Sequence, residues 1–324
     1  VKILIIQTAF PGDVILSTAL AEALHHHLPN ADVHYLVRKG NESLFYRHPF
    51  IKKVWVWDKN HKKLIGLFRL IRHIRREKYE EVINIHRFFS SGLLTVTSGA
   101  SHTTGFTANP LSFLFTYRHA HVMGNGMHEV ARNHRLIIRL TGPQIFKPAL
   151  YPSEEDYQAI NKYVSRPYVC MAPASVWFTK QWPASRWIEL IGLINDRYRI
   201  FLIGGQQDMP LLESIRLQSL LPVTNLAGQL TFLQSAALMK QAVMNYVNDS
   251  APLHLASAVN APVTAFFLST HPSFGFGPLS DNARIFSAQP SPDCRPCGSH
   301  GKRTCPKKHF LCAWNIPVNE KLLP

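Results

Sequence analysis

The sequence predicts an α/β protein made of two successive halves, each a parallel β-sheet covered by helices. Three observations predict it. Strand-like apolar runs alternate with helix-like runs along the whole chain. The alternation stops at the proline-rich, aperiodic stretch GPQIFKPALYP, residues 142–152, and then restarts. A single core of 324 residues would be unusual, so two domains are expected, at 1–150 and 151–324.

The first half opens with VKILIIQ, a continuous apolar run of buried-strand type. TAFPGD follows as a loop, then the helical pattern VILSTALAEALHHHL. DVHYLV (32–37), KKVWVWD (52–58) and EEVINIH (80–86) repeat the strand signal. Between the last two, Leu67, Leu70, Ile71 and Ile74 share one helical face, and Arg69, Arg72, Arg75 and Arg76 lie largely away from it. MHEVARNHRLIIRL (127–140) reads as another helix, ended by Gly142 and Pro143.

In the second half Ser153 caps SEEDYQAINKYV, with Asp156 completing a capping box. YVCMAP (168–173), YRIFLIGG (198–205), VMNYVND (243–249) and APVTAFF (261–267) are the strands. ASRWIELIGLIND, PLLESIRLQSLL, LTFLQSAALMKQA and APLHLASAV are the helices between and after them. In such sheets ligands bind at the carboxyl ends of the strands.

Apolar residues make up 46% and charged residues 17%, which excludes intrinsic disorder as the main state. No apolar run is long enough to span a bilayer, and the start does not read as a secretory signal, so a cytoplasmic protein is expected. The net charge of +15 is uneven: +11 falls in residues 1–150 and +4 in residues 151–324. A basic first half suits an anionic partner, whether nucleic acid, an acidic membrane surface or a phosphorylated substrate. The basic residues lack interleaved aromatics and any recognised nucleic-acid module, which argues against nucleic acid.

Three loops carry candidate chemistry. Gly12 would allow a tight turn after the first strand, and Asp13 would stand at the start of the following helix. Asp13 there is either an N-cap or a base, the helix dipole favouring its charged form. Ser175 and Lys180 follow the strand YVCMAP; Lys180 is either an ordinary surface lysine or a cation placed for a departing diphosphate. Asp249, Ser250, Ala251, Pro252 and His254 open a helix whose first N–H groups form an anion site, with a capped helix and a core histidine as the plain alternative.

No GxGxxG follows the first strand and no GxxxxGK[ST] exists, so neither a nicotinamide cofactor nor a P-loop is supported. No D-x-D pair is present to hold a metal–diphosphate complex, and no cofactor is expected. Cys170 reads as a small buried apolar residue. Cys294, Cys297, Cys305 and Cys312 are spaced C-x2-C-x7-C-x6-C. They are either ligands of a structural zinc or plain thiols beside the basic residues Lys302, Arg303, Lys307 and Lys308.

Taken together, ILIIQTAFPGDVILSTAL, MAPAS…TKQWP and NDSAPLHLASAVNAPV, in that order, resemble glycosyltransferase family 9, the lipopolysaccharide heptosyltransferases. The resemblance covers essentially the whole chain, including the tail CRPCGSHGKRTCP. It implies the GT-B architecture, two Rossmann-like domains facing across a cleft. It further implies inverting transfer of heptose from ADP-heptose to the phosphorylated lipid A-core oligosaccharide, with peripheral contact at the inner membrane surface. Asp13 matches the family's proposed catalytic base, and Lys180 and Ser175 match positions at the donor phosphates. Asp249, Ala251, Pro252 and His254 fall on the donor-binding turn, beside Ser250, and Leu230 near the adenine. Gln207 stands where some relatives carry a ribose-binding Glu, Ala251 where Gly is common, and Gln7 where a basic residue is common. These departures bear on the sugar and the donor rather than on the transferase assignment.

Overall fold

The structure is a computed structural model that describes residues 1–60, 63–194 and 197–324. The chain divides into two compact units, Val1–Tyr151 and Pro152–Pro324.

The first unit holds strands β1 (Lys2–Ile6), β2 (Asp32–Arg38), β3 (Ile51–Trp57), β4 (Glu81–Asn84), β5 (His102–Phe106) and β6 (Tyr117–His119). Every neighbouring pair is parallel, in the order β3-β2-β1-β4-β5-β6. Its helices are α1 (Pro11–His27), α2 (Lys63–Arg76), α3 (Phe89–Val96), α4 (Glu129–His134) and α5 (Ile138–Thr141). Burial on both faces explains why β1 reads as an unbroken apolar run: Ile3, Leu4, Ile5 and Ile6 are fully buried. Leu67, Leu70 and Ile74 of α2 pack with Leu4, Leu36, Trp57 and Val82 in one core. Arg69, Arg72, Arg75 and Arg76 are exposed.

The second unit repeats the plan with β7 (Tyr168–Ala172), β8 (Arg199–Leu202), β9 (Val223–Asn225), β10 (Met244–Asn248), β11 (Val263–Phe267) and β12 (Ala283–Ser287). The order is β12-β11-β10-β7-β8-β9, again all parallel. Helices α6 (Glu154–Ile160), α7 (Ala184–Ile194), α8 (Met209–Gln218), α9 (Phe232–Gln241), α10 (Ala251–Ala258) and α11 (Leu311–Trp314) complete it. Asn195 and Asp196, at the end of the helix expected over ASRWIELIGLIND, lie outside the described residues. Trp182 and Trp187 anchor the core. Trp182 stacks on Phe266 with ring centroids 4.2 Å apart, and Trp187 meets Phe266 edge-on.

Three expectations are corrected. Residues 127–140 are not one helix: α4 ends at His134, and Arg135, Leu136 and Ile137 bond back three residues rather than four. Leu136 and Ile137, in that tighter turn, are buried, and α5 starts after them. Gly12 lies within α1 rather than in a turn, because Pro11 starts the helix with its fixed φ. Phe10, not Asp13, is the N-cap, and Asp13 sits three residues further in.

Candidate active site

In a parallel sheet the crevice opens where the strand order reverses. In the second unit that point lies between β7 and β10, which pair centrally. The loop after β7 carries Ser175 and Lys180, and the turn after β10 carries Asp249 and Ser250. The two loops meet. Lys180 Nζ lies 2.6 Å from Asp249 Oδ2, with the carboxylate buried. Asp249 Oδ2 also accepts a hydrogen bond from Thr270 Oγ1 at 2.6 Å.

Asn248, the last residue of β10, locks the two loops at backbone level. Its Oδ1 accepts from Trp182 N at 3.1 Å, and its Nδ2 donates to Pro173 O at 2.7 Å. Gln181 Nε2 donates to Ser175 O at 2.8 Å, holding the Ser175 bend. Ser250 is the N-cap of α10, yet its side chain does not cap the helix; its Oγ donates to Asn248 O at 3.4 Å. Pro252 occupies the first turn of α10, and His254 is buried one turn in.

Gln207 lies exposed in the short turn after β8, and half-buried Leu230 follows β9. Gly228 N donates to Gly204 O at 3.0 Å, joining these two loops at the carboxyl edge of the same sheet. Ser175, Lys180, Gln207, Leu230, Asp249 and Ser250 thus share one edge of one sheet. Direct side-chain contact links Lys180 with Asp249.

In the first unit the strand order reverses between β1 and β4. Asp13 stands half-buried in the first turn of α1, after the β1 loop. In that loop Lys59 Nζ donates to Thr8 O at 2.9 Å and to Thr8 Oγ1 at 3.0 Å. Thr8 Oγ1 also lies 3.4 Å from His86 Nδ1, just past β4. Burial pushes the His86 imidazole down to about 3, and Lys59 and Arg87 add to the shift. His86 is therefore neutral near pH 7 and serves as a hydrogen-bonding group rather than a charge. Gln7 is buried and accepts from Ala9 N at 3.3 Å.

Sequence reading missed Thr270, Thr8, Lys59 and His86, and placed Asn248 in the NDSAPLHL motif without a role of its own. The signal for Asn248 and His86 is positional: Asn248 closes β10 and His86 lies two residues past β4, each beside a reversal point. Thr270 has no local signal, because its role comes from a contact across two loops.

The four late cysteines form no disulfide, and among the described residues no three Cys, His, Asp or Glu side chains group as a metal site. Cys294 Sγ lies 3.8 Å from His309 Nε2. Burial and neighbouring thiols push Cys312 up to about 12, so it stays protonated. Cys170 is fully buried in β7 and burial raises its thiol, in keeping with a packing residue.

A family model described as glycosyltransferase family 9 (heptosyltransferase) matches residues 67–308. The chain belongs to glycosyltransferase family 9. This family 9 protein is accordingly a glycosyltransferase. It is 25% identical over 306 residues to lipopolysaccharide heptosyltransferase 2 of Escherichia coli K12, covering 88% of this chain and 87% of that one. It is 26% identical over 331 residues to lipopolysaccharide heptosyltransferase 1 of Pseudomonas aeruginosa, covering 94% and 87%. Among solved structures it matches the ADP-heptose heptosyltransferase II of E. coli with a TM-score of 0.79 at 23% identity, covering 92% of this chain and 96% of that one. A family 9 glycosyltransferase from Veillonella parvula matches with the same TM-score at 22% identity, covering 88% and 85%. These structures share the fold of this family 9 enzyme. Among the described residues no helix is long and apolar enough to cross a membrane.

Proposed function

We propose that this enzyme transfers heptose from ADP-heptose to the phosphorylated inner core of lipopolysaccharide, with inversion at the anomeric carbon. The observation that carries the donor half is the Lys180–Asp249 pair at the β7/β10 reversal point. In this reading residues 152–324 bind the donor and residues 1–151 the acceptor. Lys180, Ser175 and the N–H groups beside Ser250 hold the diphosphate. Gln207 bonds the ribose, and Leu230 packs near the adenine. Ala251, Pro252 and His254 shape the donor turn, as Gly12 shapes the start of α1 beside Asp13.

The chemistry follows from where charge moves. Asp13 takes the proton of the acceptor hydroxyl as that oxygen attacks the anomeric carbon. The bond from that carbon to the diphosphate oxygen breaks, and the electron pair leaves with the nucleotide. Lys180 stabilises the negative charge as it grows, so a fixed ammonium supplies what a metal supplies in other transferases. Attack from the face opposite the leaving group inverts the centre.

The acceptor is lipid-borne, and α2 offers a surface for the membrane that carries it. Leu64, Ile65 and Phe68 are exposed on its outer face, and the exposed Arg69, Arg72, Arg75 and Arg76 follow them along the helix. Apolar side chains with adjoining arginines suit an anionic lipid surface.

The deciding experiment mixes the protein with ADP-heptose and a heptose-deficient lipopolysaccharide acceptor. ADP release that depends on acceptor, with an inverted product linkage by NMR, is expected and persists in a chelator. Consumption of the donor without acceptor would instead indicate an epimerase or hydrolase, and preference for another sugar nucleotide would change the donor.

A further inference from the structure

The cysteine-bearing tail is not absorbed by the reaction, yet it is wired to the loops that carry Lys180 and Asp249. Arg295, half-buried, donates through Nε and Nη2 to Thr270 O at 3.2 and 2.9 Å, and through Nη2 to Phe267 O at 3.0 Å. Cys297 N donates to Ser269 O at 2.8 Å. On the other side, Lys302 N donates to Thr179 Oγ1 at 2.8 Å, and Thr179 N donates back to Lys302 O at 3.1 Å. Ser269 Oγ donates to Thr179 Oγ1 at 3.0 Å, which joins the two loops directly. Thr179, Ser269 and Thr270 are all buried. Gly301 lies so close that a Cβ there would stand 2.3 Å from Trp177 Cβ.

These contacts converge on one oxygen. Asp249 Oδ2 receives both Thr270 Oγ1 and Lys180 Nζ, each at 2.6 Å. A buried carboxylate oxygen with one partner is free to rotate toward the ammonium and bind it in several geometries. The Thr270 hydroxyl removes that freedom. It also takes up part of the carboxylate's accepting capacity, which leaves more of the lysine's field directed away from Asp249. Arg295 in turn fixes the Thr270 backbone, so the hydroxyl cannot drift.

We infer that Thr270, held by Arg295 of the cysteine-bearing tail, is a positioning residue for transfer: through Asp249 it sets the place of the Lys180 ammonium. The inference rests on the donor-site reading of Lys180 above. In this reading Thr270 acts through the carboxylate to which its hydroxyl donates. The tail's role is then to brace the donor side of the enzyme.

The test compares Thr270→Val, which keeps the shape and removes the hydroxyl, with Thr270→Ser, which keeps the hydroxyl. Steady-state kinetics of the full chain are read with ADP-heptose and acceptor varied separately. Thr270→Val is expected to lower kcat/KM for the donor by about tenfold or more, the usual effect of losing a hydrogen bond to a charged group. The acceptor KM stays within about twofold, as expected for a site with no shared partner. Thr270→Ser recovers activity to within about threefold, since the donor hydroxyl is restored. In a Lys180→Ala background the valine substitution costs no further rate, because its effect passes through the lysine. Wild-type donor kinetics in Thr270→Val, or a full second loss in the Lys180→Ala background, overturns the inference while leaving the donor site intact. Wild-type kinetics in Lys180→Ala alone overturns the donor-site reading and this inference with it. Should the valine variant not fold, Thr270→Ala, which adds no bulk, is read in its place with the same outcomes.

Discussion

The Lys180 ammonium meets the Asp249 carboxylate at 2.6 Å, from loops that follow two neighbouring strands of one sheet. Asp249 is buried, while Lys180 keeps part of its side chain in the open. A lysine held by one carboxylate and still reachable by solvent is placed to meet a second anion. Lys180→Ala is therefore expected to raise the donor KM and to lower kcat by roughly 10²–10³, the scale seen when one fixed electrostatic partner of a developing charge is removed. Binding of ADP measured by calorimetry should weaken in parallel. Unchanged ADP affinity together with unchanged turnover would make Lys180 a surface residue.

Asp13 tests the other half of the reaction. It sits in the first turn of α1, where the helix dipole favours a carboxylate. Asp13→Asn is nearly isosteric and removes the proton acceptor. Turnover should fall by about 10²–10⁴, the range for general acid–base groups. ADP binding should stay close to wild type, because the donor loops lie in the second unit. The two readouts separate a base from a donor ligand: loss of nucleotide affinity in Asp13→Asn would reassign the residue.

Much of this was legible in the residues. Buried central strands such as β1 and β10 announce themselves because both faces are covered and most of their positions are apolar. Short strands do not: β6 (YRH) and β9 (VTN) are edge strands of three residues, paired on one side and held by their neighbours rather than by their own pattern. β12, ARIFS, has five residues but is likewise an edge, paired on one side with β11. The break between α4 and α5 was hidden for a different reason, since RNHRLIIRL keeps a helical period across it. At the site, Lys180 and Asp249 were each visible as residues in the right loops. Their contact was not, and neither was Thr270, because hydrogen bonds between loops leave no period in the sequence. Asp13 shows the reverse case: the residue was singled out correctly as the one at the helix start, but Pro11 shifts the cap back to Phe10.

Acid sensitivity should trace in part to His48. This side chain is buried against Phe50, with ring centroids 4.5 Å apart, and against Tyr151 at 4.8 Å. Burial pushes its imidazole down to about 4, with nearby His25 adding to the shift. Above the ordinary histidine value of 6.5 neither the folded nor the unfolded chain is protonated there, and the fold keeps its full stability. As pH falls from 6.5 toward 4, the unfolded chain binds a proton that folded His48 refuses, so stability drops by roughly 2–3 kcal/mol over that window. His86, pushed down to about 3, adds a loss of the same sign. His48→Phe should flatten part of the slope of Tm against pH between 6.5 and 4 and leave the His86 share in place. An identical slope in the variant would show that His48 is already solvated in the folded state.

The outer face of α2 can be tested without any substrate. Leu64, Ile65 and Phe68 are exposed by more than half of their surfaces, although Leu67, Leu70 and Ile74 on the same helix are buried. Among the described residues no carboxylate pairs with Arg69, Arg72, Arg75 or Arg76, which sets them apart from Arg132, Arg139, Arg186 and Arg216. Unpaired arginines beside exposed apolar side chains favour a surface that is negative outside and apolar within. The protein should therefore sediment with vesicles containing anionic lipid and not with purely zwitterionic ones, and added salt should weaken the association. Replacing Phe68 by Ser and Arg72 and Arg76 by Gln should reduce vesicle binding by about tenfold or more, since each basic residue near such a surface is worth about 1 kcal/mol. The same variant should keep its turnover on a water-soluble acceptor fragment, because α2 does not carry Asp13, Lys180 or Asp249. Equal binding of both vesicle types, or full vesicle binding by the triple variant, would make this helix face an ordinary solvated surface.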